Sequence, residues 1–418
     1  MKEVKATIIT IGDEILIGQI TDTNSQWIAS ELSKIGVTVN RMLSISDDAD
    51  IITSSISDNL NEVIVFTGGL GPTNDDITKQ TLTNFFSSEL VCHQPTLDRL
   101  TEYYKSVNRE LNDLNRSQAF VPDNCVVLTN DFGTAPGMWF QHGKTVIISL
   151  PGVPLEMKKI MELQVLPKIK DCFFMPFIYH KTLHTIALTE SDLAIRLKDW
   201  ENQLPKEVSL AYLPTLGMVR LRLTIQGENE KMAHSILDPI IEVLYGMIGE
   251  YIFGEDETSI EKVIWELLIE SGGTLATAES CTGGNIGQLL TSVSGSSQYF
   301  NGGIISYNND VKIKSLNVPK EIIKEHGAVS EETVRSMAAN VRLLMNSTYA
   351  VAVSGVAGPN GGTKEKPVGM VWIAFASEKE IVAKKLILTS HRSKNIRLSS
   401  VFALDLLRKH ILKELNRD

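Results

Sequence analysis

Short apolar runs that break off in glycine-rich or acidic turns, each followed by a helical pattern, recur at both ends of this chain. They limit its fold more than any other feature. Ala6–Ile11 runs into Gly-Asp-Glu, Val63–Phe66 into Thr-Gly-Gly-Leu-Gly-Pro-Thr, and Thr145–Leu150 into Pro-Gly-Val-Pro. Between these runs, Trp27, Ile28, Leu32 and Ile35 share one helical face that stops at Gly36. Val37–Leu43 reads as a strand, and Ala49–Leu60 and Asp76–Phe86 read as helices. Strands alternating with helices pair in parallel through crossovers, so the first part is an α/β layer.

Beyond Lys170–Pro176 the texture changes. Lys181–Leu188, Glu207–Tyr212 and Met218–Gln226 read as strands, and Ser191–Trp200 and Glu230–Tyr245 as helices. This small α+β module has no concentrated catalytic pattern and reads as a spacer or dimerising unit. From Thr258 a second α/β pattern begins. A helix over Ile260–Ile269 is followed by a strand over Thr274–Ala278, the turn Glu-Ser-Cys-Thr-Gly-Gly and a helix to Leu290. Gly303–Tyr307 and Ala350–Val353 are further strands, separated by a helix from Ser330 to Met345, and two strands and a long helix close the chain. The expected domains are 1–170, 171–255 and 256–418.

At 418 residues the chain is long enough for two or three cores. Forty basic against fifty acidic residues give a net charge of −10, which argues against a broad nonspecific nucleic-acid surface, and no direct nucleic-acid partner is expected. Cys92, Cys125, Cys172 and Cys281 have no CxxC spacing, so neither a zinc site nor a disulfide frame is suggested, and reduced thiols in a cytoplasm fit best. No stretch reaches the ~20 apolar residues of a membrane helix, and the apolar N-terminal run is broken by Gly12, Asp13 and Glu14.

Two turns could carry chemistry. In the first domain, Gly68, Gly69, Gly71 and Thr73 lie between a strand and a helix, where backbone N–H groups can approach an anion. Asp75 and Asp76 follow. Their ordinary role is to cap the helix, but two carboxylates beside a phosphate cradle also suit a divalent cation such as Mg²⁺. Asp13, Glu14 and Asp22 follow another strand end and could reach the same crevice at the sheet's C-terminal edge. In the last domain, Ser280 stands where a strand meets a helix. It is either an N-cap hydroxyl or a nucleophile beside free N–H groups. Gly283 and Gly284 would let a substrate lie against the backbone, and Cys281 competes as nucleophile. Lys312 could activate the hydroxyl if desolvation lowered its pKa, with Tyr307 relaying the proton or orienting the lysine. A solvated lysine and a half-buried tyrosine are the structural alternatives.

Gly12-Asp13-Glu14-Ile15-Leu16, Asp22-Thr23-Asn24, the run Gly68–Asp76 and Leu150–Pro154 resemble the N-terminal domain of CinA proteins, which is similar to the molybdopterin-binding fold. Glu279–Gly284, Phe300–Gly303, Tyr307 with Lys312, His326–Ser330 and Gly355–Pro359 resemble the C-terminal CinA domain, the nicotinamide nucleotide amidase also found alone. The resemblance implies deamidation of nicotinamide mononucleotide by Ser280 with Lys312 and Tyr307, without a cofactor. It implies substrate contacts at Thr282, Gly283, Gly284, Ser354 and Gly355, and a phosphate seat at Arg392 and Arg397. Ser354 stands where many relatives carry threonine. For the first domain it implies metal-dependent cleavage of ADP-ribose, with Asp13, Asp75 and Asp76 as candidate metal or water-positioning groups. The rival reading is a regulatory protein that binds a nucleotide or pterin without turnover. A homodimer would suit so modular a chain.

Overall fold

The computed structural model describes residues 4–73, 75–174 and 177–415. Asn74 of the glycine-rich turn, and two residues of the expected boundary, Met175 and Pro176, lie outside them. The chain divides by mutual contact into two compact units, Met1–Tyr179 with Ile225–Ala233, and His180–Thr224 with His234–Asp418.

The first unit is built on β1 (Lys5–Ile11), β2 (Thr38–Ile45), β3 (Val63–Thr67), β4 (Leu90–Cys92), β5 (Phe120–Pro122), β6 (Val126–Leu128), β7 (Gly137–His142) and β8 (Thr145–Leu150). Its main sheet has the order β2-β1-β3-β8-β7-β6, and β4 and β5 form a separate pair. The first four strands of that order pair in parallel; β7 and β6 add antiparallel. Every residue of β3 and β8 is buried, as a parallel strand covered by helices on both faces requires. The apolar runs were therefore legible as strands. The helix expected from Asp76 starts at Thr78, leaving Asp75 and Asp76 in the preceding turn. The region between residues 90 and 130 adds short strands and the helix Gln94–Ser106, which the sequence pattern did not reveal.

The middle module carries β9 (Phe177–Ile186), β10 (Val208–Thr215), β11 (Met218–Gly227) and β12 (Ile252–Glu255), in the order β10-β11-β9-β12. In β11, Val219, Leu221 and Leu223 are buried while Arg220 and Arg222 face water, the alternation of a sheet covered on one side. The module is joined to the last helix: Arg408, 5% exposed, binds Asp405 and donates from Nη1 to the carbonyl of Ile252 at 3.2 Å.

The last part holds β13 (Leu275–Glu279), β14 (Phe300–Ile305), β15 (Tyr349–Gly355), β16 (Met370–Ala376) and β17 (Ile381–Ile387), in the order β14-β13-β15-β16-β17. β13 runs parallel to both of its neighbours, and β16 and β17 add antiparallel. The strand expected over Gly303–Tyr307 thus lies earlier, and Tyr307 falls in the turn beyond it. β14 approaches β13 closely because Gly303 pairs with Thr277: a Cβ on Gly303 would sit 2.1 Å from Thr277 Oγ1 and 3.1 Å from its carbonyl oxygen. Thr277 is buried and β-branched, so it cannot swing aside. Gly303→Ala is therefore expected to cost about 1–3 kcal/mol, measured by thermal melting, and removal of the hydroxyl in a Gly303→Ala/Thr277→Ala double variant is expected to recover part of it. Additive losses in the double variant would contradict this packing.

Candidate functional site

β13 is apolar until its last residue, Glu279, a carboxylate only 2% exposed. Its oxygens accept from three backbone amides: Gly284 at 3.0 Å, Ile286 at 3.0 Å and Gly287 at 2.8 Å. Helix starts leave such amides without partners, and Glu279 supplies them for the helix Asn285–Thr291. The N–H groups expected to cradle an oxyanion there are thus already taken up. The amides of Cys281 and Thr282, earlier in the turn, are not among those bound by Glu279. Gly283 and Gly284 both take positive φ, which lets the chain fold back from strand to helix across the five residues 280–284.

Ser280 follows directly, held by its N–H to the carbonyl of Val353 at 2.9 Å on neighbouring β15. It caps no helix: the residue before Asn285 is Gly284, with no side-chain cap. Ser280 Oγ instead lies 3.0 Å from Nζ of Lys312, which arrives from the short helix Asn309–Lys314 beyond β14. Lys312 is 1% exposed, and Nζ also donates to the carbonyl of Ser306 at 2.6 Å. Ser306 in turn donates its N–H to the carbonyl of Glu279 at 2.7 Å. Burial drives the Lys312 pKa down to about 8, with nearby Cys281 pulling the other way. No acidic side chain ion-pairs with Lys312 among the described residues, so the neutral amine is accessible near physiological pH. The competing nucleophile Cys281 has the opposite environment: burial pushes its thiol up to about 12, so it is a packed core thiol.

The structure corrects the expected part of Tyr307. Its hydroxyl accepts from Arg392 Nη2 at 2.6 Å, while the Ser306 carbonyl orients Lys312. Arg392 Nη1 also donates to the carbonyl of Gly358 at 2.9 Å, so this guanidinium ties the loops after β14 and β15 together at the first turn of the helix Arg392–Glu414. Arg397 lies five residues on, rotated by roughly 140° around the helix from Arg392, and no contact among the described residues joins it to this cluster. Ser354 Oγ donates to the carbonyl of Ala328 at 2.6 Å, and a Cβ on Gly355 would collide with Val371, so both residues have packing roles. Thr282, 3% exposed, keeps an unpartnered Oγ1 two residues from Ser280. The part of Glu279 was missed from the sequence. The available signal was an acidic residue ending a buried strand directly before a helix.

The first unit has a second candidate site, a cleft of about 550 Å³ at the C-terminal edge of its sheet. Gly68, Gly69, Gly71, Thr73, Asp75 and Asp76 line it together with Glu14, Asp22 and Asp47. Gly68 and Gly69 have positive φ, and a Cβ on Gly68 would sit 2.2 Å from the carbonyl of Ile11, so the turn passes against the end of β1. Asp76 accepts from Thr73 N at 2.9 Å and Thr73 Oγ1 at 2.6 Å, and Asp22 caps the helix Thr23–Lys34. Asp13 is not part of the lining; it is exposed, and its N–H reaches Asp47 at 3.3 Å. Asp47, unmarked in the sequence reading, follows β2. Burial raises its carboxyl pKa and the charges of Asp13, Glu14 and Asp76 add to this, against the Asp13 N–H. Among the described residues no group of three or more His, Cys, Asp or Glu side chains is gathered to hold a metal ion unaided. Hard carboxylate oxygens around a glycine turn still fit an ion such as Mg²⁺, which takes one or two carboxylates and completes its shell with phosphate and water.

Three family descriptions match consecutive stretches of the chain. Residues 7–171 match the family described as a probable molybdopterin binding domain, residues 180–254 the damage-inducible protein CinA KH domain, and residues 257–411 the CinA C-terminal domain. The chain is 47% identical to a CinA-like protein of Cytophaga hutchinsonii, over 97% of this chain and 98% of that one. It is 44% identical to a CinA-like protein of Flavobacterium psychrophilum, over 99% and 100%. Among solved structures, the competence/damage inducible protein CihA from Agrobacterium tumefaciens is 35% identical, with 35% of this chain and 93% of that chain covered and a TM-score of 0.34.

Proposed function

Since the chain belongs to the CinA family, we propose that its C-terminal part is a serine amidohydrolase that converts nicotinamide mononucleotide and water to nicotinate mononucleotide and ammonia. The observation that carries this reading is the buried contact of Lys312 Nζ with Ser280 Oγ at 3.0 Å. Neutral Lys312 takes the Ser280 proton as Oγ attacks the carboxamide carbon. The resulting oxyanion faces the Ser280–Thr282 turn, where the amides of Cys281 and Thr282 are the nearest donors in sequence. Lys312 then passes its proton to the departing nitrogen, which leaves as ammonia. Water attacks the acyl-serine, gives one proton to Lys312, and the lysine returns it to Ser280 Oγ. Arg392, already fixed by Tyr307 and Gly358, would meet the substrate phosphate with its remaining N–H groups.

The test is ammonia release from nicotinamide mononucleotide by the purified chain across pH 6 to 9.5, with EDTA present. The base must be neutral to act, so kcat/KM is expected to rise about tenfold per pH unit below the Lys312 pKa and to level off above about 8. A flat or falling profile, or activity lost to EDTA, would sink the mechanism.

A second reading applies to the first unit. Its cleft, with phosphate-sized glycine turn and hard acidic oxygens, favours metal-assisted hydrolysis of ADP-ribose to AMP and ribose 5-phosphate. The bound cation would offset phosphate charge and polarise a water; Asp75, Asp47 and Glu14 are the side chains in reach of that role. The middle module is not assigned a nucleic-acid partner. It has seven Lys and Arg against ten Asp and Glu over residues 180–254. Its Gly-x-x-Gly, Gly246–Gly249, ends the helix Glu230–Ile248 instead of joining two helices.

A further inference from the structure

Beside its phosphate turn and carboxylates, the cleft of the first unit is lined by two amide side chains that the proposed hydrolysis does not use, Gln118 and Asn24. Gln118 is 2% exposed, and neither Oε1 nor Nε2 has a partner. Asn24 is 7% exposed. Its Nδ2 donates to Thr67 Oγ1 at 3.1 Å and to the Gly152 carbonyl at 2.8 Å, while its Oδ1 has no partner. A buried polar atom without a hydrogen bond is destabilising, and such atoms are rare enough in folded proteins to need a reason. Three of them on the wall of one cleft point to a ligand that completes them.

Gln118 is also held firmly. It sits in a single tight turn, Ser117–Ala119. Lys79 Nζ donates to the Ser117 carbonyl at 2.8 Å, and the N–H of His93 donates to the Ala119 carbonyl at 2.8 Å. Both neighbours of Gln118 are thereby anchored, one to the helix Thr78–Phe85 that follows the phosphate turn, the other to the start of the helix Gln94–Ser106. The turn fixes the carboxamide against the cleft wall without satisfying it.

We propose that Gln118 reads the edge of an adenine base bound in this cleft, and that Asn24 Oδ1 accepts a hydroxyl of the attached ribose. A carboxamide presents one donor and one acceptor side by side, the complement of adenine N7 and N6–H₂. The volume of about 550 Å³ suits a nucleotide whose phosphates lie against Gly68 and Gly69. This rests on the nucleotide reading of the cleft and deepens it: the phosphates and cation would serve hydrolysis, and Gln118 would choose the base.

The experiment is titration calorimetry of the full chain with AMP and, separately, with inorganic pyrophosphate, in the presence of Mg²⁺. Wild type is compared with Gln118→Met, which keeps length and packing but removes both polar atoms. AMP affinity is expected to fall about tenfold or more, with pyrophosphate affinity unchanged. The melting temperature of Gln118→Met is expected to stay level or rise, because unpaired buried polar atoms have been removed; a purely structural role would lower it. Unchanged AMP binding in the variant, an equal fall for both ligands, or wild type that binds a pterin but not AMP each overturns the proposal. Absence of AMP release from ADP-ribose, with Gln118-dependent AMP binding intact, would overturn the pyrophosphatase reading and leave this one standing.

Discussion

Lys312→Met is expected to lower ammonia release from nicotinamide mononucleotide by at least about 10⁴-fold, and Ser280→Ala to do the same, with the double variant little worse than either. In the proposed mechanism the two groups act as one unit, so the second substitution has nothing left to remove. The methionine variant carries a second expectation that separates lost chemistry from lost folding. The folded pKa of Lys312, about 8, lies below its ordinary value of 10.5. Between those values the unfolded chain holds the extra proton, so wild type gains stability as pH rises through that window and carries the burial cost below it. Lys312→Met should lack that rise and melt no lower than wild type at pH 7. An inactive variant that also melts far lower would place Lys312 in the fold and not in the reaction. Strictly additive losses in the double variant would break the pairing.

Glu279→Ala has the largest expected effect on stability. It leaves the amides of Gly284, Ile286 and Gly287 without their acceptor, the second in a buried residue and the other two in half-buried ones. The loss is expected to be roughly 3 kcal/mol or more, since each unpaired buried amide costs about 1–3 kcal/mol and the three act together. Glu279→Gln keeps one carbonyl oxygen and is expected to lose less. Because the same turn carries Ser280, the alanine variant should also lose kcat more than KM. A melting temperature within a degree or two of wild type would show that the carboxylate is dispensable.

Much of the architecture was legible because buried parallel strands declare themselves. Val63–Phe66 and Thr145–Leu150 are apolar on both faces and end in turns, and the structure places both in the sheet of the first unit. The short strands between residues 120 and 128 carry only three residues each, too few for any periodicity, and Gln118 beside them gave no signal at all. Ser280 and Lys312 were both marked in the sequence, but their contact was not legible there. Ser280 sits at a strand end, a position that marks function; Lys312 is one lysine on a short helix, and only the fold shows that it points inward. Tyr307 and Arg392 were each marked as site residues, yet their mutual hydrogen bond, 85 positions apart in sequence, could not be read from either. Asp13 was marked by its place in a motif and turned outward, while Asp47 took its place on the cleft wall.

The distance between Ser280 and Lys312 is set by strand registry. Ser280 continues β13, Lys312 hangs from the helix after β14, and the two strands are locked with Glu279 opposite Ile305. The contact from Ser306 N–H to the Glu279 carbonyl and on from Ser306 to Lys312 extends that lock to the Ser280–Lys312 contact. The sheet therefore works as a machinist's gauge: its rungs repeat at a fixed spacing, and a slip of one residue would misplace the amine by about 3.3 Å. Loops elsewhere can lengthen or shorten without touching that dimension, so the spacing of the two backbones is inherited from the ladders between strands.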